Sequence, residues 1–370
     1  MRVAVFRWQL FKPSEMFVSD QTRFLPTASR LLFGGKFLGP TIEGLDHFAP
    51  SSMNIKHQLQ FLLLGSNSEI ERKLNEFKPD LIHAHFGLDS LMILPIAKKL
   101  GVPLVTTFHG FDISTSRFGL IRSGKPVYIN YALFQNKLKR SGALFICVSD
   151  YIKSLAIKSG YPENKLVTHY MGVDPDMFSL AEPCEEKLSI LHIARLVEKK
   201  GTKYLIEAFA KLVKKYPQAT LTIIGDGPLS ESLQILAAPY SDQITFTGAI
   251  PRSKVIEYLK LANVFVLPSV TAANGDSEGL PTVILEAYAS GVPVIGTYHS
   301  GIPEAVVEGE TGYLVPERDV NALAGALDAL LADENLRKRF SQSGVALVQN
   351  RFDIRKQSAS LEKHYLSVLV

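Results

Sequence analysis

The sequence has almost no cysteine. Cys147 and Cys184 are the only two in 370 residues, too few for a disulfide framework, and neither stands at metal-ligand spacing from other thiols or imidazoles. Cys147 lies in the apolar run ALFICVS and reads as a buried strand residue. No run approaches the roughly 20 apolar residues that cross a bilayer. The opening MRVAVFRWQLF is too short an apolar stretch for a signal peptide, because Arg7 and Lys12 interrupt it, so a cytoplasmic location is expected. Low-complexity tracts and internal repeats are absent. So is the spaced GxGxxG of a dinucleotide site, which counts against a dehydrogenase.

What remains is ordinary globular material, 46% hydrophobic and 21% charged, in a chain long enough for two domains. Charge is divided unevenly. Through residue 180 there are 21 Lys and Arg against 14 Asp and Glu; beyond it, 19 against 22. A basic first half is open to two readings: an anionic acceptor or peripheral membrane surface beneath it, or scattered solvated lysines. The longest basic cluster is only Lys137-Leu138-Lys139-Arg140, which weighs toward the second reading; no nucleic-acid partner is expected.

Short apolar runs alternate with amphipathic stretches. Val3–Phe6, Leu81–Ala84, Leu104–Phe108 and Leu144–Val148 read as buried strands, as do Ser189–Ala194, Thr220–Ile224, Ile244–Thr247, Val264–Pro268 and Val292–Gly296. Strands buried on both faces and separated by helices predict an α/β protein with parallel sheets. Tyr204–Tyr216 has a helical period through Leu205, Ala208, Phe209, Leu212 and Val213, with Pro217 as its stop. Pro175–Leu188 has no period and reads as a linker, giving domains 1–180 and 181–350. The tail Asp353–Leu369 places Ile354, Leu361, Tyr365 and Val368 at helical spacing.

The densest chemical signal is SEGLPTVILEAYASG, Ser277–Gly291. Pro281 suits the first turn of a helix and Gly291 its end. A helix opening there leaves amides unpaired around Gly279–Thr282, an end that attracts phosphate. Glu278 and Glu286 would be repelled by phosphate and are better suited to accept hydroxyl hydrogen bonds. Read blandly, Glu278 only complements the helix dipole and Glu286 is solvated. Arg195 directly follows the strand Ser189–Ala194, at the edge where open α/β sheets bind ligands, and Lys200-Gly201 follows in the same loop. Two cations there can hold a diphosphate and stabilise it as it leaves. Gly225-Asp226-Gly227-Pro228 and Ser300–Glu304 are turns after further strands, and each alone is equally well an ordinary loop. In the first half, His109 ends the strand Leu104–Phe108. His83 and His85 share one strand face, which makes one of them a packed residue; no carboxylate or cysteine joins these histidines at ligand spacing, so no metal site is expected.

Taken together, Arg195 with Lys200-Gly201, Glu278 and Glu286 with seven residues between them, and Ser300–Glu304 resemble glycosyltransferase family 4 over about residues 190–310. The likeness extends more loosely through IHAHFG (Ile82–Gly87), FHGFD (Phe108–Asp112) and the terminal helix. Pro13–Val18 and the Thr271–Gly279 loop are similar to the bacterial exopolysaccharide subgroup of colanic acid and amylovoran type. The resemblance implies a GT-B fold: two Rossmann-like domains facing across a cleft, with segment 351–370 a helix returning to the first. It implies a retaining, metal-independent enzyme with no cofactor, moving sugar from a nucleoside-diphosphate donor to a saccharide or lipid-linked acceptor. Arg195 and Lys200 would bind the diphosphate, Glu278 the transferred sugar, Glu286 the ribose, and His109 would lie beside the sugar. Gly225, Gly227, Gly279, Leu280 and Pro281 would complete the donor site, with base recognition near Thr247–Ile250 through Gly248 and Ile250. The chain departs from the family pattern in three places. Trp8–Phe17 has no glycine, and Ala194 and Ser300 stand where glycine is common. The alternatives are a sugar-nucleotide epimerase or phosphorylase on the same fold, or a non-catalytic nucleotide-sugar-binding subunit.

Overall fold

The computed structural model describes residues 1–51, 57, 59–61, 65–182 and 187–369; Cys184 and the middle of the expected linker lie outside these. The chain divides into two compact units, Met1–Gly172 with Ile354–Val370, and Val173–Asp353. The divisions fall at 172/173 and 353/354, ahead of 180/181 and just past 350/351. Val173 forms a parallel bridge with Asp353, so the chain enters and leaves the second unit at one place.

The first unit is built on a seven-stranded parallel sheet. Across it run His47–Phe48, Ser29–Phe33, Arg2–Phe6, Leu81–His85, Leu104–Phe108, Leu144–Cys147 and Leu166–Thr168. The second has six parallel strands: Ile244–Gly248, Thr220–Ile224, Ser189–Ile193, Val264–Leu267, Val294–Thr297 and Gly312–Val315. In both, the first strand of the unit is interior and the order reverses beside it. That reversal opens a crevice at the carboxyl ends of two adjacent strands, where α/β sheets take ligands. In the first unit it lies between Arg2–Phe6 and Leu81–His85. In the second it lies between Ser189–Ile193 and Val264–Leu267, so the loops starting at Arg195 and Ser269 both rise from it.

Helices bury their apolar faces on these sheets. The helix Thr202–Ala210 packs Leu205, Ile206, Ala208 and Phe209 into the second core. It ends earlier than the predicted Tyr216. Residues 211–215 form turns closed by Leu212 N–H to Phe209 O (2.8 Å) and Lys215 N–H to Leu212 O (2.9 Å). These tight turns still bring Leu212 into the core and let the Tyr216 hydroxyl donate to Asp328 (2.7 Å). Sequence period marked the buried face correctly but not where the α-helix stops.

The terminal helix Ile354–Leu366 belongs to the first unit, with Leu361 and Tyr365 in its core. Its buried Glu362 carboxylate accepts from Thr27 N–H (2.9 Å), Thr27 Oγ1 (2.6 Å) and Ala28 N–H (2.9 Å), just ahead of the strand Ser29–Phe33. Tyr365 reaches His83 in the middle of the sheet (2.7 Å). Removing the Glu362 carboxylate strands three donors, so Glu362→Ala should lower the stability of this unit by about 2 kcal/mol. Urea unfolding followed by the fluorescence of Trp8, the single tryptophan, reads that unit. An unchanged midpoint would mean the helix is not held by this carboxylate.

Candidate active site

At the crevice of the second unit, three loops touch backbone to backbone. A Cβ on Gly201 would lie 1.8 Å from the Pro268 carbonyl oxygen, one on Gly225 1.9 Å from that of Ala194, and one on Gly227 2.4 Å from that of Leu196. Only glycine permits such contacts, and Gly201 and Gly225 also have positive φ. Ladder-like bonds then fix the loops: Leu196 N–H to Asp226 O (2.9 Å), Gly225 N–H to Gly248 O (2.9 Å) and Val270 N–H to Lys199 O (2.8 Å).

Lys200 and Glu278 are brought together by this packing. The Lys200 ammonium lies 2.7 Å from Glu278 Oε1, with side-chain exposures of 15% and 8%. Burial alone would raise the Glu278 pKa; Lys200 and Lys199 outweigh it and bring it down to about 2. Ser269 Oγ also donates to Oε1 (3.3 Å). Lys199 pairs with Asp276 (2.9 Å) and donates to Ser277 O (3.3 Å), tying the same two loops together.

His299 holds the Glu278 backbone, a role the sequence reading missed. Its Nε2 accepts from the Glu278 amide (3.2 Å) and from Ser300 Oγ (3.0 Å). The proton therefore sits on Nδ1, which donates to Glu317 Oε1 (2.6 Å). Glu317 in turn accepts from the Thr271 amide (2.9 Å). The signal available in sequence was only that His299 immediately precedes the Ser300–Glu304 turn. Ser300 itself has φ 51°, the left-handed region that glycine favours.

The helix Thr282–Ala289 starts one residue later than expected, with Pro281 in the capping position instead of the first turn. Among the described residues, the amides of Gly279, Leu280, Thr282 and Val283 have no hydrogen-bond partner, while Gly279, Leu280 and Pro281 are buried. Arg195 is exposed, and its guanidinium makes no hydrogen bond or ion pair among the described residues. Glu286 does not stand solvated: Arg252, unremarked in the sequence, pairs with it at 3.3 Å. Gly248 has φ 69° with open space where a Cβ would be, and Ile250 is half-buried beyond it.

His109 belongs to the first unit. Its ring stacks on His85 and packs against Phe86 (4.5 Å) and Phe17 (4.9 Å), while His85 Nδ1 lies 2.9 Å from His109 Nε2. The Asp112 carboxylate accepts from the amides of His109 (3.0 Å), Gly110 (3.1 Å) and Gly87 (2.8 Å), joining the FHGFD and IHAHFG segments. His83 is the packed histidine, bonded to Tyr365 and Thr107. Burial holds all three imidazoles neutral, with His83 down to about 3 and His85 and His109 well below the ordinary value. Beside them Arg7 lies 4.4 Å over the Phe86 ring and pairs with Asp89 (2.5 Å) and Glu15 (2.7 Å). Among the described residues no group of three or more His, Cys, Asp or Glu is placed to hold a metal ion.

Two doubly wound units, one of which gathers cations and open amides at its switch point, define an α/β protein of the GT-B kind. Comparisons with known proteins agree. Residues 176–346 match the model for glycosyl transferases group 1, and residues 42–177 that for glycosyltransferase family 4. The putative colanic acid biosynthesis glycosyltransferase WcaL of Escherichia coli is 38% identical over 261 residues, 68% of this chain and 62% of that protein, so the match spans less than two thirds of that relative. A GDP-mannose-dependent phosphatidylinositol monomannoside mannosyltransferase of Mycolicibacterium smegmatis is 30% identical over 75% of this chain and 73% of its own length. Among solved structures, Anabaena HepE in complex with UDP and glucose superposes with TM-score 0.79 at 19% identity, covering 99% of this chain and all of that one. The chain belongs to glycosyltransferase family 4.

Two measurements test this geometry. Lys200→Met leaves the Glu278 charge buried without its cation and should cost about 3 kcal/mol in urea unfolding followed by circular dichroism; a loss below measurement error would deny the pair its buried character. For His83 the folded pKa, about 3, lies below the ordinary 6.5. Its neutral form therefore contributes stability that is full above pH 6.5 and lost as pH falls toward 3. The Trp8-monitored unfolding free energy should decline across that window, and His83→Gln should flatten the decline. Equal slopes in both proteins would remove His83 from the account.

Proposed function

We propose that this chain is a retaining, metal-independent glycosyltransferase acting at the cytoplasmic side of exopolysaccharide or surface-glycan assembly. It would move a sugar from a nucleoside-diphosphate sugar to a saccharide or lipid-linked saccharide. The observation that carries the reading is the convergence of Lys200, Glu278 and the unpaired amides of Gly279, Leu280, Thr282 and Val283 at one switch point, with Arg195 rising from the same crevice. A diphosphate suits these donors, since it is anionic and accepts from amide, ammonium and guanidinium groups together. Family membership, the colanic acid relative and the UDP held by HepE support the same reading.

In this mechanism Arg195 and Lys200 stabilise the charge that builds on the diphosphate as the bond from the anomeric carbon to the phosphate oxygen breaks. The acceptor oxygen bonds to that carbon from the same face, and its proton passes to the departing phosphate. Glu278 accepts from hydroxyls of the transferred sugar, Glu286 from the ribose, and Gly225, Gly227, Gly248 and Ile250 border the nucleoside. His109, neutral and bonded to His85, serves the transferred sugar as a hydrogen-bonding partner. No cofactor takes part.

The reading predicts that Arg195→Ala and Glu278→Gln each lower transfer by roughly a hundredfold or more, measured with radiolabelled nucleotide sugars and membrane-extracted acceptors. A thermal-shift screen of nucleoside diphosphates and their sugars identifies the donor to use. Near-parental rates in both variants would sink the assignment. Sugar isomerised without an acceptor would replace it with an epimerase, and donor binding without turnover would leave a binding subunit.

A further inference from the structure

Between Asp112 and Asp150 the chain carries six Lys and Arg and no Asp or Glu. This acid-free stretch includes the helices Arg117–Arg122 and Pro126–Ser141, which pack side by side. Arg117 Nε donates to Ala132 O (3.0 Å), setting the start of the short helix against the middle of the long one. The inner side of the pair is apolar and closed: Leu120, Tyr131, Ala132 and Leu138 are buried. The outer side is apolar too. Phe118 is 72% exposed, and Ile121, Leu133 and Phe134 are between 42% and 50% exposed. Leu133, Phe134, Lys137 and Arg140 follow the helical period along one outward stripe.

Cations border this apolar surface. The Lys137 ammonium lies 4.6 Å over the Phe134 ring, and Arg122 and Lys125 are exposed at the turn between the helices. Lys139 turns inward to the Ser159 carbonyl and takes no part. Exposed phenylalanine and leucine ringed by Lys and Arg, with no acid among them, meet the two requirements of an interfacial surface: hydrocarbon to insert and cations for the headgroups. A soluble polyanion such as a nucleic acid or an acidic polysaccharide would satisfy the cations and leave Phe118 and Leu133 in water.

We propose that the outer face of these two helices docks on an anionic lipid bilayer, with Phe118, Ile121, Leu133 and Phe134 inserted at the interface and Arg122, Lys125, Lys137 and Arg140 on the phosphate headgroups. This goes beyond the transfer reaction and needs neither donor nor acceptor, so it can fail while the transferase reading stands. It also sharpens the charge asymmetry of the sequence: the surplus is concentrated on one acid-free face.

The test is co-sedimentation of the full chain with vesicles of phosphatidylcholine alone or mixed with phosphatidylglycerol. The chain should partition onto the anionic vesicles only, and less so at high salt. Lys137→Glu with Arg140→Glu, and separately Phe118→Ser with Phe134→Ser, should each weaken that partition by roughly tenfold or more. Melting temperature and binding of the nucleotide sugar should stay at parental values in both. Absence of binding to anionic vesicles, or parental binding by both variants, overturns the proposal. So does a concentration-dependent dimer that the phenylalanine variant abolishes, since a second copy would then cover the face.

Discussion

The second unit depends on how closely its loops approach one another at the switch point. Backbone carbonyls of Ala194, Leu196 and Pro268 occupy the space where Gly225, Gly227 and Gly201 would otherwise carry side chains. Any larger residue would drive the loops apart by ångströms, and the Lys200–Glu278 contact of 2.7 Å would not survive that. Electrostatics in the crevice is thus set by sterics at the backbone. The charges come from residues far apart in sequence, but the glycines decide whether they meet.

The first unit reaches an ordered edge by another route. Its first loop, Trp8–Phe17, has no glycine, yet it is tightly held. Arg7 lies between Asp89 and Glu15, and Asp89 also accepts from the Trp8 amide (2.7 Å). Burial works against the guanidinium charge, but Asp89 and Glu15 outweigh it and hold the Arg7 pKa above its ordinary value. Close approach is supplied from the facing loop, where a Cβ on Gly34 would lie 2.0 Å from the Arg7 carbonyl oxygen. Phe86, under the guanidinium, takes φ 72°, a conformation that a non-glycine residue holds only where its surroundings enforce it.

Much of this was legible because buried parallel strands write themselves as apolar runs. The interior strands, such as Leu104–Phe108 and Val264–Leu267, stand out for that reason. Those not recognised were shorter or more polar: Ser29–Phe33 opens on Ser29 and Arg30, Leu166–Thr168 is three residues long, and Gly312–Val315 begins with glycine. The latter two lie at sheet edges. The candidate site residues were visible where type and position coincide, as with Arg195 after a strand or Glu278 before a helix. Their partners were not. Arg252 reaches Glu286, and Glu317 reaches His299, across distances in sequence that no local pattern encodes. The terminal helix was readable as amphipathic, but the Glu362 contacts to Thr27 and Ala28 depend on the fold.

The role proposed for Glu278 asks a carboxylate already paired with lysine to grip an alcohol, and the arrangement allows it. The side-chain contacts from Lys200 and Ser269 both fall on Oε1 of Glu278; Oε2 has no partner among the described residues. A carboxylate has two oxygens and about four lone-pair sites, so one oxygen can anchor the group while the other accepts from a ligand. The low Glu278 pKa keeps the group ionised and therefore purely accepting. In the proposed reaction an arriving diphosphate would draw on the same ammonium, and Lys200 would then stand between two anions, the phosphate and the Glu278 carboxylate. His299 fixes the Glu278 main chain independently of either, through an imidazole whose other nitrogen is held by Glu317. The carboxylate can thus share its cation with the ligand while its backbone stays where the loops have put it.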